Sequence, residues 1–134
     1  MLKKVLDIAT ELWKGLEEND GASINAHGEA SEYGYMVSIE CDERTYKGIS
    51  LEDLQIQLIN YITDYIDILR THDSYYYGIW YDAGTYYLDI SVNIYDFKDA
   101  CSKALDNNQE AIYDVEQDRI FTRYGSGYVC DEED

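Results

Sequence analysis

The sequence predicts an α+β domain in which three helices pack against an antiparallel sheet of about four to five strands. Two observations support this fold class. Apolar residues recur at helical spacing in three segments, and they alternate with polar residues in several others. The chain has 134 residues, of which 46% are hydrophobic. With neither an internal repeat nor a linker, we expect a single domain over residues 1–124.

Three segments have the spacing of amphipathic helices. Residues 2–17 carry Leu, Val, Ile and Trp at intervals of three and four residues. Residues 51–70 carry a similar stripe, and Ser50 precedes them as the first residue of a capping box that ends in an acid. A shorter third helix, running to about Asn107, is predicted after Asp96, because aspartate is a good N-cap residue.

The clearest strand signal lies at residues 86–95, where Leu, Ile and Val alternate with polar and aromatic residues. The sequence Asp82-Ala83-Gly84-Thr85 supplies the turn from a preceding strand. Residues 24–34 are rich in small and polar side chains and predict a loop or a weak first strand. Residues 125–134 end in Cys-Asp-Glu-Glu-Asp, and we expect an acidic, flexible tail there. The strands expected are 33–41, 75–81, 86–95, 111–115 and 119–124.

The chain is strongly acidic: 28 Asp and Glu residues stand against 10 Lys and Arg, and the formal net charge is -18. Direct binding of nucleic acid is argued against, because it requires basic side chains at the phosphates. An anionic membrane would repel the chain, and no segment is apolar enough to span a bilayer. The N-terminal stretch contains acids where a signal peptide needs apolar residues. These features favour a cytoplasmic protein whose natural partners are basic proteins.

The sequence contains no motif for a metal site, a cofactor or nucleophilic catalysis. His27 and His72 have no metal-ligand partner three or four residues further on. Cys41, Cys101 and Cys130 are an odd number without CxxC spacing, which indicates reduced thiols. We therefore expect no metal and no cofactor.

Imitation of DNA would require the acids to be concentrated on one face. Averaged over a folded chain of this mass, the net charge is one per ~400 Å², whereas B-DNA carries one per ~100 Å². Residues 48–97 contain eight acids and a single base, Arg70. Within the predicted helix, Asp53, Asp64 and Asp67 lie opposite the apolar stripe, as they would also on an ordinary solvated helix face.

Tyrosines accompany these acids. Seven aromatic residues crowd the hairpin between residues 75 and 87, and alternation sends some to each face. Tyr87, Asp89 and Tyr95 share the outer face of their strand. Exposed Tyr beside Asp is typical of a protein-binding hot spot, although tyrosines also pack half-buried across strands. The residues predicted to contact a partner are Asp53, Asp64, Asp67, Asp82, Asp89, Asp96, Tyr76, Tyr81, Tyr87 and Tyr95.

Residues 78–114 contain Gly-Ile-Trp-Tyr-Asp, Tyr-Tyr-Leu-Asp-Ile-Ser, Ala100 and Asn-Gln-Glu-Ala-Ile-Tyr-Asp. This stretch resembles a pattern that recurs in small phage and mobile-element proteins without assigned activity. In its size, acidity and lack of catalytic motifs, the whole chain resembles anti-CRISPR and anti-restriction proteins. The resemblance implies an inhibitor that occupies the DNA-binding groove of a nuclease, and it assigns a role to no individual residue.

The leading hypothesis is therefore an inhibitor in the cytoplasm of a host bacterium. It would fill the basic nucleic-acid-binding groove of a defence nuclease, a CRISPR effector or restriction enzyme, by acidic DNA mimicry. An immunity protein that neutralises a basic toxin would have a similar surface. A small enzyme would instead need a pocket in which His27 or His72 meets a carboxylate. We expect a monomer or a homodimer.

Overall fold

The computed structural model describes residues 2–130 and confirms an α+β fold with three helices and an antiparallel sheet. The sheet has eight strands, more than the four to five predicted. The helices are α1 (Leu2–Asn19), α2 (Leu51–Arg70) and α3 (Phe97–Asp106). The strands are β1 (Gly21–Asn25), β2 (Tyr35–Ser38), β3 (Arg44–Lys47), β4 (Tyr75–Asp82), β5 (Thr85–Ile94), β6 (Ala111–Asp114), β7 (Arg119–Tyr124) and β8 (Gly127–Cys130).

The strand order is β1-β4-β5-β2-β6-β7-β8, and β3 lies beside β5. Strands β2 and β3 run end to end along one side of β5: β2 pairs with residues 91–94, and β3 pairs with residues 85–88. The residues between them, 39–43, bulge out of the ladder opposite Asp89. The predicted strand at 33–41 is therefore the first half of a longer, interrupted strand.

Three strands were not among those predicted from the sequence. β1 is short and begins with Gly-Ala-Ser, and β3 reads Arg-Thr-Tyr-Lys, so neither shows apolar alternation. The flexible tail predicted from residue 125 is wrong for residues 127–130, which form β8 and pair with β7. The buried Tyr128 fixes β8 through a hydrogen bond from its hydroxyl to the carbonyl of Gln109. Residues 131–134 lie outside the described residues.

All three helices cover one face of the sheet, called here the helix face. The register Tyr77↔Ile90 and Ile79↔Leu88 places large apolar side chains on this face, under α1 and α2. Further along the sheet, Val37 packs against α3. No helix among residues 2–130 is both long and apolar enough to cross a bilayer.

The opposite face, called here the open face, carries the alternate residues of the same strands. The register places Ser23, Gly78 and Asp89 side by side across β1, β4 and β5. The predicted turn between β4 and β5 is confirmed: Ala83 and Gly84 have φ values of 49° and 86°. Two consecutive positive φ angles define the tight hairpin turn whose twist matches its strands.

Candidate functional site

The open face of the sheet is concave and forms a cavity of about 820 Å³. Six consecutive strands of the sheet, from β1 to β7, contribute to its lining. Its volume falls in the range of ~300–1,000 Å³ that is usual for ligand pockets. Its lining includes Ser23, Met36, Trp80, Asp89, Asp118 and Ile120.

Asp89 lies at the base of this cavity, with only 6% of its surface exposed. Its Oδ2 accepts a hydrogen bond of 2.7 Å from the Ser38 hydroxyl, whereas its Oδ1 has no hydrogen-bond partner among the described residues. Burial has the largest effect on the pKa of the Asp89 carboxyl and raises it. The hydrogen bond from Ser38 lowers this pKa, the negative charge of Glu43 raises it, and the indole N–H of Trp80, which points toward the carboxylate as a weak donor, lowers it. The protein thus holds a carboxyl group in a poorly solvated place with half of its acceptor capacity unused.

Two glycines make room for the polar groups of the cavity. A Cβ atom on Gly78 would lie 2.1 Å from Asp89 Oδ1 and 2.9 Å from Trp80 Nε1. A Cβ atom on Gly21, which pairs with Trp80 across β1 and β4, would lie 2.0 Å from the indole ring. The carboxylate and the indole therefore occupy space that only glycine leaves open.

The predicted acids of α2 lie together. Asp53, Asp64 and Asp67 are all exposed and fall within about 60° of one another around the helix axis, at ~100° per residue. They form a stripe, called here the α2 stripe, that faces away from the apolar core. It lies on the helix face of the molecule and not on the open face.

The three other predicted acids do not join this stripe. Asp82 stands at the tip of the β4–β5 hairpin, and Asp96 caps α3 by accepting a hydrogen bond of 3.0 Å from the Asp99 N–H. The ten residues of β5 separate them, a length of about 30 Å. The exposure predicted for Asp89 is wrong. Its side chain lies on the outward side of its strand, but the concave sheet buries it.

The α2 stripe also contacts a basic residue of the chain. The Arg44 guanidinium donates hydrogen bonds to Asp64 at 2.9 Å and to Asp42 at 2.6 Å, and it lies 4.8 Å from the centre of the Tyr61 ring. The hydrogen bonds from Arg44 and then from Tyr65 lower the pKa of the Asp42 carboxyl. Part of the negative charge along α2 is therefore neutralised within the chain.

The predicted tyrosines have four different environments. Tyr95 is 68% exposed and packs on Tyr33, with ring centres 4.9 Å apart. Tyr81 is exposed near the hairpin tip, and Tyr87 is half-buried. The exposure predicted for Tyr76 is wrong, since it is 8% exposed and cannot form an outer contact. Of these four tyrosines, only Tyr81 and Tyr95 have large exposed surfaces, and they lie at opposite ends of the hairpin.

The histidines do not meet a carboxylate in the cavity. His27 Nε2 lies 3.5 Å from Asp73 Oδ1, but both side chains are exposed and neither lines the cavity. His72 stacks on Tyr75 and contacts the Ile68 carbonyl. Among residues 2–130, no group of three or more His, Cys, Asp or Glu side chains is arranged to hold a metal ion.

The sequence carried one signal for the cavity that pattern reading did not use. Gly78 interrupts an aromatic strand, and a glycine inside a strand often marks a close approach by another group. Recognising that group as Asp89 requires the register of β4 against β5. Comparison with protein families, curated proteins and solved structures finds no match for this chain. Function must therefore be inferred from the molecule's own surfaces.

Proposed function

We propose that this chain is an inhibitor that binds the basic nucleic-acid-binding groove of a host defence nuclease in place of DNA. The observation that supports this proposal is the outward placement of the acids. Of the Asp and Glu residues between 2 and 130, all except Asp89 and Asp114 are exposed. A surface of this kind attracts basic proteins and repels nucleic acid.

The arginines offset only a few of the outward acids, and two of them contact the α2 stripe itself. Each of the four described arginines contacts a carboxylate or an amide oxygen of the same chain, so the acids without an arginine partner supply most of the outward charge. The pairs are Arg44 with Asp42 and Asp64, Arg70 with Asp67 at 3.7 Å, Arg119 with Asp114 at 3.4 Å, and Arg123 with Asn108 at 3.1 Å.

The density of charge limits how closely the surface can imitate DNA. Dividing the accessible surface of 7933 Å² by the net charge of -18 gives about 440 Å² per charge, close to the sequence-based average. The α2 stripe places three carboxylates along about 21 Å of helix. One DNA strand carries about six phosphates over that length. We therefore propose that α2 replaces a short stretch of phosphates and that the remaining acids steer the encounter.

The first test is to use the full chain as bait in a bacterial lysate and to identify the retained proteins by mass spectrometry. We expect to recover a basic nucleic-acid-binding protein, and we expect this chain to compete with DNA for binding to it. The affinity should fall as salt is raised from low to high concentration. Recovery of a basic toxin instead would favour an immunity role, and an affinity that does not change with salt would contradict the proposal.

The second test locates the contact. A variant with Asp53, Asp64 and Asp67 changed to Asn is compared with one in which Glu11, Glu17 and Glu110 are changed to Gln. Both lose three exposed acids, so both should associate more slowly if net charge steers the encounter. Only the α2 variant should dissociate faster. Equal dissociation rates would exclude the α2 stripe as the contact.

A further inference from the structure

We infer that the cavity on the open face is a binding site for a guanidinium or ammonium group carried on an apolar stem. The site is built around Asp89, which is nine-tenths buried, lines the cavity and has one carboxylate oxygen without a hydrogen-bond partner among residues 2–130. This inference goes beyond the proposed function and does not depend on it, because the α2 stripe lies on the other face of the sheet.

The unused hydrogen-bonding capacity is the first argument. Buried polar groups in proteins nearly always have a partner, and each exception calls for an explanation. Here two such groups, Asp89 Oδ1 and the Ser23 hydroxyl, lie in the lining of one cavity. A guanidinium or ammonium donor would satisfy Oδ1, and Ser23 could accept a second hydrogen bond.

The comparison with Asp114 is the second argument. Asp89 and Asp114 are the two buried acids among residues 2–130. Asp114 has its counter-charge within the chain, since Arg119 Nη2 lies 3.4 Å from its Oδ2. The cavity around Asp89 contains a second carboxylate, Asp118, and none of its lining residues is basic. A buried carboxylate is normally paired with a cation. The lining of the cavity supplies no such cation to Asp89, so a bound ligand would supply it.

The walls of the cavity define the rest of the ligand. Met36, Trp80 and Ile120 give the cavity an apolar lining. Long cationic side chains bury their methylene groups along such surfaces, and a guanidinium also stacks well on an indole ring. The same chemistry is found in a free amine with an alkyl chain and in an arginine side chain of a protein partner.

Butylguanidine, which is a guanidinium on an apolar chain of four carbons, is the first probe. The chain has two tryptophans, so the indole N–H signal of Trp80 can be followed by NMR after assignment with Trp80→Phe. We expect saturable shifts of this signal in the wild-type chain. Asp89→Asn should weaken binding by at least about tenfold. Asp82→Asn removes the same charge from an exposed site and should leave binding unchanged.

A second pair of variants keeps the test valid if Asp89→Asn does not fold. Ile120 lines the cavity but is 48% exposed, so Ile120→Arg should fold and block the site with a like charge. Ile56→Arg introduces the same change on the exposed surface of α2 and should have no effect on binding.

Two further probes distinguish the chemistry and its source. Butylurea has a similar shape without charge, and it should bind at least about tenfold more weakly than butylguanidine. An acetylated pentapeptide with a central arginine that binds as tightly as butylguanidine would identify a partner's side chain as the source, and binding of butylguanidine alone would identify a small free cation. Equal binding of butylurea, retention of binding by Asp89→Asn, or no saturable shift with any probe would overturn the inference.

Discussion

Replacing Gly78 by alanine would test whether the absence of a side chain at this position allows Asp89 and Trp80 to share the open face. The new Cβ would lie 2.1 Å from Asp89 Oδ1, whereas real Cβ contacts are longer than 3.0 Å. Oδ1 would therefore have to move by about 0.9 Å, the difference between these distances. The carboxylate has little room, because it is 6% exposed.

The cost has two parts. Overpacking at a buried position destabilises a protein by about 1–3 kcal/mol. Moving the carboxylate also strains the 2.7 Å hydrogen bond from Ser38 to Oδ2, and hydrogen bonds to charged groups contribute about 1.5–3 kcal/mol. We expect Gly78→Ala to lower the free energy of unfolding by about 3–5 kcal/mol.

The assay is urea-induced unfolding followed by circular dichroism, with the free energy taken from the midpoint and slope. Gly78→Ala is measured in the wild-type chain and again with Asp89→Ala. Without the carboxylate, the shortest of these contacts is the 2.9 Å approach to Trp80 Nε1, and the cost should fall to about 1 kcal/mol. Gly127→Ala is the matched control, because no atom of the described residues lies within 4 Å of its added Cβ.

One result would refute this reasoning. If Gly78→Ala destabilises the chain equally with and without the Asp89 carboxylate, the two residues are not coupled. The cost would then arise from the backbone of β4, and the space above Gly78 would have no special relation to the cavity.

Four other substitutions address three separate features. Ala83→Asn should stabilise the hairpin by about 0.5–1 kcal/mol in thermal unfolding, because Ala83 has a φ of 49° and asparagine tolerates that region better. Tyr77→Phe should cost about 1–2 kcal/mol, since it removes the buried hydrogen bond to the Ile62 carbonyl, whereas Tyr61→Phe should be neutral or stabilising because the Tyr61 hydroxyl is buried without a partner. Asp89→Asn should stabilise the chain at neutral pH. Burial raises the pKa of Asp89, so the wild-type chain loses stability as pH rises through that pKa and regains it on acidification. The difference in the free energy of unfolding between Asp89→Asn and wild type, measured with urea, should therefore shrink as pH falls.

Elements with strong local signals could be predicted from the sequence. α2 begins after the Ser50 cap and ends at Arg70 as expected, because capping and helical periodicity are both local properties. The β4–β5 turn was equally clear, since Asp82-Ala83-Gly84-Thr85 specifies a tight hairpin by itself. β3 was missed because its pairing with β5 depends on long-range register, and its Arg44 reaches acids on α2 and in the bulge.

The candidate sites show a similar limit. Alternation correctly placed Tyr87 and Asp89 on one face of β5, but the exposure of each depends on the curvature of the whole sheet. Neighbouring strands on a concave face bury Asp89, while Tyr95, which follows the last residue of β5, is exposed. Periodicity reports which face a side chain belongs to, and it contains no information about whether that face is concave.

β8 has a consequence for association between copies of the chain. It is the last strand at one edge of the sheet described here, and an unpaired edge can add a strand from another molecule. In the sequence, Asp-Glu-Glu-Asp follows Cys130 directly, so each of two copies that paired through this edge would contribute four acids next in sequence to a strand of four residues. Repulsion between them opposes growth of the sheet at low ionic strength. Self-association through β8 should therefore increase with salt, opposite to the dependence expected for a basic partner.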